Sequence, residues 1–143
     1  MPSAVLDTVA AYRAAFRPSQ TLRAPYVMVS ADVVVVADDD ETARRLASGY
    51  GPWAGSIGRG EGVVPYLTPA EVTAFPWTEE DHALVADRVD TQFVGSPATV
   101  VRGLRTLRDV VVADELLVTT VTHDHAARVR SYELLAQAWA RLG

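Results

Sequence analysis

Three apolar, β-branched runs are each followed within a few residues by a helix start, and this alternation restricts the chain more than any other feature. The first run is Pro25-Tyr26-Val27-Met28-Val29-Ser30-Ala31-Asp32-Val33-Val34-Val35-Val36. Ala31-Asp32 interrupts it, so it reads as one long strand or two short ones, mostly buried. The second is Thr91-Gln92-Phe93-Val94 and the third is Leu116-Leu117-Val118-Thr119-Thr120-Val121. Strands that alternate with helices predict βαβ units, a parallel sheet and right-handed crossovers. The expected class is therefore α/β. With 143 residues the chain is expected to form a single domain, 1–143.

The helices follow from apolar spacing. Val5, Val9, Tyr12 and Phe16 recur on one face over about 4–16, and Pro18-Ser19 ends the pattern. Ala43, Leu46 and Ala47 mark a second helix. Ser96 as N-cap and Pro97 at the first helical position open another, with Val100, Val101, Leu104 and Leu107 as its apolar face. The last is expected from about Asp124 to Leu142, with Val129, Tyr132, Leu135, Ala136 and Trp139 on one side. Residues 49–90 form an excursion. Its first part, 49–67, holds Gly49, Gly51, Pro52, Gly55, Gly58, Gly60, Gly62 and Pro65 and reads as a long loop. Thr68-Pro69-Ala70-Glu71 is a capping box, and Thr78 to Asp81 opens a short helix running to about Arg88.

Composition removes several function classes. The net charge of −5 leaves no basic face for nucleic acid or an anionic membrane. The chain has no cysteine, so disulfides, thiolate catalysis and cysteine-ligated zinc are excluded. The longest apolar run, around Val33 to Ala37, is far below a membrane span. Met1-Pro2-Ser3 opens no secretory leader, and a cytoplasmic location is expected.

The polar clusters each carry two readings. Asp38-Asp39-Asp40-Glu41 invites a cation site. Consecutive acids cannot converge on one ion from an extended strand, and an N-cap with an acidic first turn is the plainer account. The glycines of 49–67 make neither a dinucleotide fingerprint nor a P-loop. Trp53 and Tyr66 could cover a ligand or anchor the loop to the core. His123 and His125 flank Asp124 and diverge at a helix start, where Asp124 fits an N-cap; no metal is expected. No Ser–His–Asp signature is present.

From Phe93 onward the chain resembles the end of the luciferase-like (bacterial luciferase) flavin-dependent monooxygenases. The blocks are Phe93-Val94-Gly95-Ser96-Pro97, Ala113-Asp114-Glu115-Leu116-Leu117-Val118-Thr119-Thr120, His123-Asp124-His125-Ala126-Ala127-Arg128 and Arg130-Ser131-Tyr132-Glu133-Leu134-Leu135-Ala136. Tyr12-Arg13 to Phe16, Pro18-Ser19, Pro25-Tyr26-Val27 and Ala37-Asp38 to Ala43 are similar to the stretch before it, and 49–90 matches more loosely. The resemblance implies part of a TIM barrel: about three parallel strands alternating with helices, βα units 6–8, plus the Gly/Pro-rich excursion. A whole barrel takes roughly 250 residues.

The same resemblance implies an oxidoreductase using FMN and oxygen on a small organic substrate, with a deazaflavin the less expected cofactor. At the carboxyl ends of barrel strands it points to Gly95, Ser96 and Thr120 for the cofactor and to His123 as a proton donor. For Gly95-Ser96 a tight turn and N-cap is the plainer account, since every βα junction needs such chemistry. Asp114-Glu115 would lie at the opposite end of the strands, where carboxylates serve stability or an interface. Open strand edges template association, so a homodimer, or pairing with another barrel subunit, is expected. The alternative function is a non-catalytic barrel remnant that dimerises or completes a partner.

Overall fold

The first apolar run becomes the middle of the strand arrangement, because it pairs on both edges. The computed structural model describes residues 3–62 and 64–142, so Met1-Pro2 of the leader expectation lies outside the described residues. The run forms β1 (Met28–Ala31) and β2 (Val34–Val36), broken at Asp32-Val33. A strand β3 (Phe93–Gly95) lies parallel to β2, with Val34 opposite Phe93. A strand β4 (Glu115–Val118) lies parallel to β1, with Met28 opposite Glu115 and Ala31 opposite Val118.

The hydrogen bonds fix which edge each partner takes. The Phe93 amide donates to the Val33 carbonyl at 2.8 Å, and the Val34 amide donates to the Thr119 carbonyl at 3.0 Å. The C=O and N–H of one trans peptide point in opposite directions. The peptide between Val33 and Val34 therefore bonds β3 on one side and the β4 segment on the other. Along β1 the carbonyls of Val27 and Ala31 accept from Glu115 and Thr119, so the odd positions face β4 and the even ones face away.

Parallel strands alternating with helices are as the sequence predicts. The neighbour order is not. Three consecutive barrel units would place the second strand between the first and third. Here the first lies between the other two, in two separate two-stranded ladders. The cause is the break at Asp32-Val33, which moves pairing from one edge to the other. In addition, β3 is only three residues long because the Gly95-Ser96 turn starts a helix at once.

Helices α1 (Ser3–Ala15), α2 (Asp40–Ala47), α6 (Pro97–Val111) and α7 (His125–Leu142) stand where the spacing places them. On α6 the apolar stripe Val100, Val101, Leu104, Leu107 and Val111 is buried. It packs with Val27, Val29, Ala31, Val34 and Val36 of the strand run and Leu134, Leu135 and Ala138 of α7.

The end of α6 carries a strained residue. Val112 has φ 55° and ψ 49°, the left-handed region that a β-branched residue enters at a cost of about 1–2 kcal/mol. It is exposed, so its side chain returns little by packing. The Arg13 guanidinium bonds the Val111 and Val112 carbonyls at 3.0 and 2.6 Å, closing this helix end against α1. Val112→Gly is expected to raise stability by about 1 kcal/mol and the melting midpoint by roughly 3 °C, read by thermal denaturation.

The excursion departs from its expectation. Within 49–67, read as a loop, Tyr50–Gly58 forms α3, followed by α4 (Pro69–Ala74) and α5 (Glu79–Asp90). Pro52 is tolerated because it sits in the first turn, where its missing N–H would have no intrahelical acceptor. Gly51 is a contact rather than a breaker: a Cβ there would lie 2.7 Å from Cη2 of Trp77. Trp77 in turn stacks on His82 with ring centres 4.7 Å apart. Tyr66 presses on Gly49, where a Cβ would lie 2.5 Å from its ring, and burial pushes its phenol well above the ordinary value. The ring of Trp53 tilts against Tyr50 at 5.9 Å. Both aromatics weighed as ligand covers pack on their own segment.

Candidate functional site

The carboxyl ends of the strands converge, and they carry the residues singled out from the sequence. In parallel α/β sheets this is the end where ligands bind. β2 runs into Ala37-Asp38, β3 into Gly95-Ser96, and β4 into Thr119-Thr120. The Ala37 amide donates to the Gly95 carbonyl at 3.2 Å, and the Val36 amide donates to Ser131 Oγ at 2.8 Å. The two contacts lie on opposite edges of β2, so Gly95-Ser96 and the Ser131 region flank its end.

At Gly95-Ser96 the anion position is filled from within. The Ser96 amide donates to Asp40 Oδ1 at 2.6 Å, and a Cβ on Gly95 would lie 2.7 Å from that same oxygen. Ser96 is the N-cap of α6 by backbone geometry but makes no side-chain cap bond; its Oγ lies 3.0 Å from Thr99 Oγ1. A carboxylate from α2 thus serves the start of α6. The glycine allows that approach, because any side chain would meet the carboxylate.

The Ser96 amide, with Thr99 and Ser96 hydroxyls, holds the Asp40 carboxyl below its ordinary 3.8. A carboxyl depressed in the folded state contributes stability above its unfolded value, and that contribution is lost as pH falls through the lower folded value. Asp39, Glu71 and Asp81 are lowered by cap bonds of the same kind, chiefly to Thr42, Thr68 and Thr78. The melting midpoint is therefore expected to drop below about pH 4, and Asp40→Asn is expected to make that drop shallower in a series of melts across pH.

On the other flank three buried hydroxyl residues gather. Ser131 is fully buried, Thr120 is 4% exposed and Thr122 is 9% exposed. The Thr120 amide donates to the Tyr132 hydroxyl at 3.0 Å, and Thr122 Oγ1 donates to the Asp124 carbonyl at 2.6 Å. The Thr120 hydroxyl has no hydrogen-bond partner among the described residues. Of the candidate cofactor residues, Thr120 alone offers an unsatisfied polar atom at the strand ends.

His123 stands in the exposed turn before α7. It lies close enough to influence Glu71, whose carboxyl is held low chiefly by the Thr68 amide and hydroxyl, with His123 a lesser influence. No hydrogen bond among the described residues joins His123 or Thr120 to Gly95 or Ser96. Asp124 caps α7 through the Ala127 amide at 2.7 Å, and His125 Nδ1 lies 2.7 Å from Arg128. The acidic run divides its work: Asp38 meets Arg130 at 3.2 Å, Asp39 caps α2 through the Thr42 amide at 2.7 Å, and Asp40 takes Ser96. No metal-ligand group of three or more occurs among the described residues.

Sequence reasoning missed the roles of Asp40, Ser131 and Tyr132. The run of acids announces a cap at α2 but not that its third member reaches α6, 56 positions away. Ser131 carries no signal, since a serine inside a helical stretch reads as exposed. Asp114 and Glu115 lie at the amino end, as expected, and are structural: Asp114 accepts the Val27 amide at 2.7 Å and Glu115 accepts the Tyr26 hydroxyl at 2.9 Å.

A cleft of about 830 Å³ opens elsewhere. It lies toward the amino ends of β2 and β3, walled by residues 29–33, with Tyr50, Phe93, Arg102 and Thr106 around it. None of Gly95, Ser96, Thr120 and His123 lines it. This cleft and the strand-end residues are separate features. No helix among the described residues is long and apolar enough to cross a membrane.

No family model matches the chain. It is 31% identical over 138 residues to the uncharacterized protein YvbT of Bacillus subtilis, covering 96% of this chain and 40% of that protein. It is 30% identical over 134 residues to a luciferase-like monooxygenase of Escherichia coli K12, covering 93% of this chain and 39% of that protein. Among solved structures, apo-MsnO8 superposes with a TM-score of 0.80 at 28% identity, over 95% of this chain and 41% of that one. The monooxygenase RslO1 of Streptomyces bottropensis, at 18% identity and a TM-score of 0.57, shares the fold. The chain spans about 40% of the length of the curated relatives it matches. Over that portion it is similar to a luciferase-like monooxygenase.

Proposed function

We propose that this chain serves as the carboxyl-terminal part of a luciferase-like, flavin-dependent monooxygenase, an oxidoreductase that acts with FMN and oxygen on a small organic substrate. The observation that carries this reading is the near-complete match of the chain, 93%, to the E. coli luciferase-like monooxygenase. The TM-score of 0.80 with apo-MsnO8 supports the architecture. The pairing of β1 with β4 fits two successive barrel strands, with β3 as a short addition on the far edge.

The fit of FMN to the residues present is incomplete. Its phosphate does not fit at Gly95-Ser96, because the Asp40 carboxylate already holds the Ser96 amide and a second anion there would meet like charge. Thr120 is the candidate that remains, with a buried hydroxyl free to bond a ligand at the strand ends. Apart from Thr120, the chain's contribution is structural, and the other cofactor contacts are expected from the portion of the relatives that it does not span.

FMN titration followed by flavin fluorescence tests this. The chain alone is expected to show no saturable binding, while an assembly with the complementary portion of a relative binds FMN and turns yellow. An assembly that stays colourless and unreactive toward FMN would remove the flavin reading. The non-catalytic alternative, a barrel remnant that completes a partner, is favoured by one observation only: the exposed β1–β4 face, where Met28 and Leu117 are 52% and 53% exposed.

A further inference from the structure

We propose that the crevice between α6 and α7 over β4 binds a small primary amine with a compact apolar body, its ammonium held by Asp114. The crevice has a volume of about 320 Å³, at the lower end of the ~300–1,000 Å³ of small-molecule sites. None of Gly95, Ser96, Thr120 and His123 lines it, and it shares no lining residue with the 830 Å³ cleft. It stands apart from the strand-end residues, so this inference does not rest on the flavin reading.

The floor is apolar and comes from three elements. Leu104 of α6 and Leu135 of α7 are buried members of the core. Leu116 and Val118 alternate with the exposed Glu115 and Leu117 along β4, so they turn toward the helices. They pack on the core and yet stay half-buried. That remaining exposure is apolar surface open between two helices, and an apolar body seated there would remove it from water. Trp139, one turn beyond Leu135 on α7, adds an aromatic wall. Arg108 stands over its ring, 5.8 Å from the centre.

Charge decides the sign of the ligand. Arg108 is the cation of the crevice, and its Nε meets the Asp109 carboxylate at 2.8 Å, which neutralises it. The two acids that line the crevice have no such partner. Asp114 Oδ2 accepts the Val27 amide at 2.7 Å, and Glu115 Oε2 accepts the Tyr26 hydroxyl at 2.9 Å. Both donors are neutral, and no salt bridge reaches either acid among the described residues. Asp114 Oδ1 therefore keeps an open acceptor at the crevice, with the Glu115 charge beside it. The negative field of the pair is felt at Tyr26. Its phenol is pushed above the ordinary value first by the bond to Glu115, then by burial, then by the charges of Glu115 and Asp114. An ammonium brings the missing positive charge and the donors that a carboxylate oxygen accepts, whereas an anion would meet like charge.

The test titrates the full chain with phenethylamine, phenethyl alcohol and phenylacetate, which share a ring and a short linker and differ in charge. NMR reads the amides of Leu116 and Val118 and the indole N–H of Trp139, with the indoles of Trp53 and Trp77 as references. The amine is expected to shift the Trp139 signal saturably with a Kd of about 1 mM or below. The alcohol should bind at least about tenfold more weakly, as the loss of a charge-assisted bond requires, and phenylacetate not at all. Asp114→Asn keeps an oxygen for the Val27 amide. It is expected to bring the amine down to the level of the alcohol and to leave the alcohol unchanged. Val118→Phe fills the crevice from the strand and is expected to abolish both, with the fold intact by circular dichroism. Equal binding of amine and alcohol, tighter binding of phenylacetate, an amine response untouched by Asp114→Asn, or no saturable response up to about 10 mM would each overturn the proposal. So would a Trp139 signal that moves with protein concentration in the absence of amine, the mark of a second copy in the crevice.

Discussion

Leu104→Ala is expected to lower the free energy of unfolding by about 3–4 kcal/mol, with the midpoint in urea reduced and the slope unchanged. Leu104 is 1% exposed and lies midway along the buried stripe of α6. That helix touches α7, β2, β3 and β4, so the lost side chain leaves a void bounded by several elements. A site walled on all sides collapses poorly, which places the cost in the upper half of the range for such truncations. A domain of this size has about 5–15 kcal/mol in total, so the variant should melt roughly 10 °C lower. A loss below about 1 kcal/mol would mean that α6 is not the centre of the core.

That stripe shows why some of the fold was legible. Val100, Val101, Leu104 and Leu107 repeat at the helical period, and a stripe with that period has only one way to be buried. The β-branched run before Asp38 was equally plain, because no helix favours four consecutive valines. Strand order was not legible. It depends on which edge each peptide turns outward, and the change at Asp32-Val33 is a matter of parity that composition does not record. The helix within 49–67 is hidden in the sequence for a related reason. Gly51 and Gly49 look like breakers until Trp77 and Tyr66 are seen lying against them.

The strand-end residues divide along the same line. That Gly95, Ser96 and Thr120 lie at the carboxyl ends follows from the alternation alone. What fills the position beside Gly95 does not, because Asp40 comes from a different helix. A glycine before a helix start signals close approach by something, and here the visitor is an internal carboxylate at 2.6 Å from the Ser96 amide. The sequence pattern could not separate that outcome from a phosphate, since both are anions meeting the same N–H group.

Ser131→Ala carries the second large effect, about 2 kcal/mol, because it orphans a buried amide rather than removing bulk. The ladder along the β4 edge gives the Val34 amide the Thr119 carbonyl, and the next rung falls to the Val36 amide. β4 has already turned away by then, and the Ser131 hydroxyl takes that rung at 2.8 Å. Val36 and Ser131 are 1% and 0% exposed, so solvent cannot easily replace the lost acceptor. One residue on, Tyr132 receives the Thr120 amide at 3.0 Å. Adjacent side chains of α7 thus close the ends of two strands where the ladder fails. In Ser131→Ala the Val36 amide should exchange far faster while Val34, still bonded to Thr119, keeps its protection. Ser131→Thr, which retains the hydroxyl, should recover much of the loss. Equal loosening of Val34 and Val36 would show instead that the whole ladder depends on α7 packing, and the hydroxyl's role as the terminal rung would have to be abandoned.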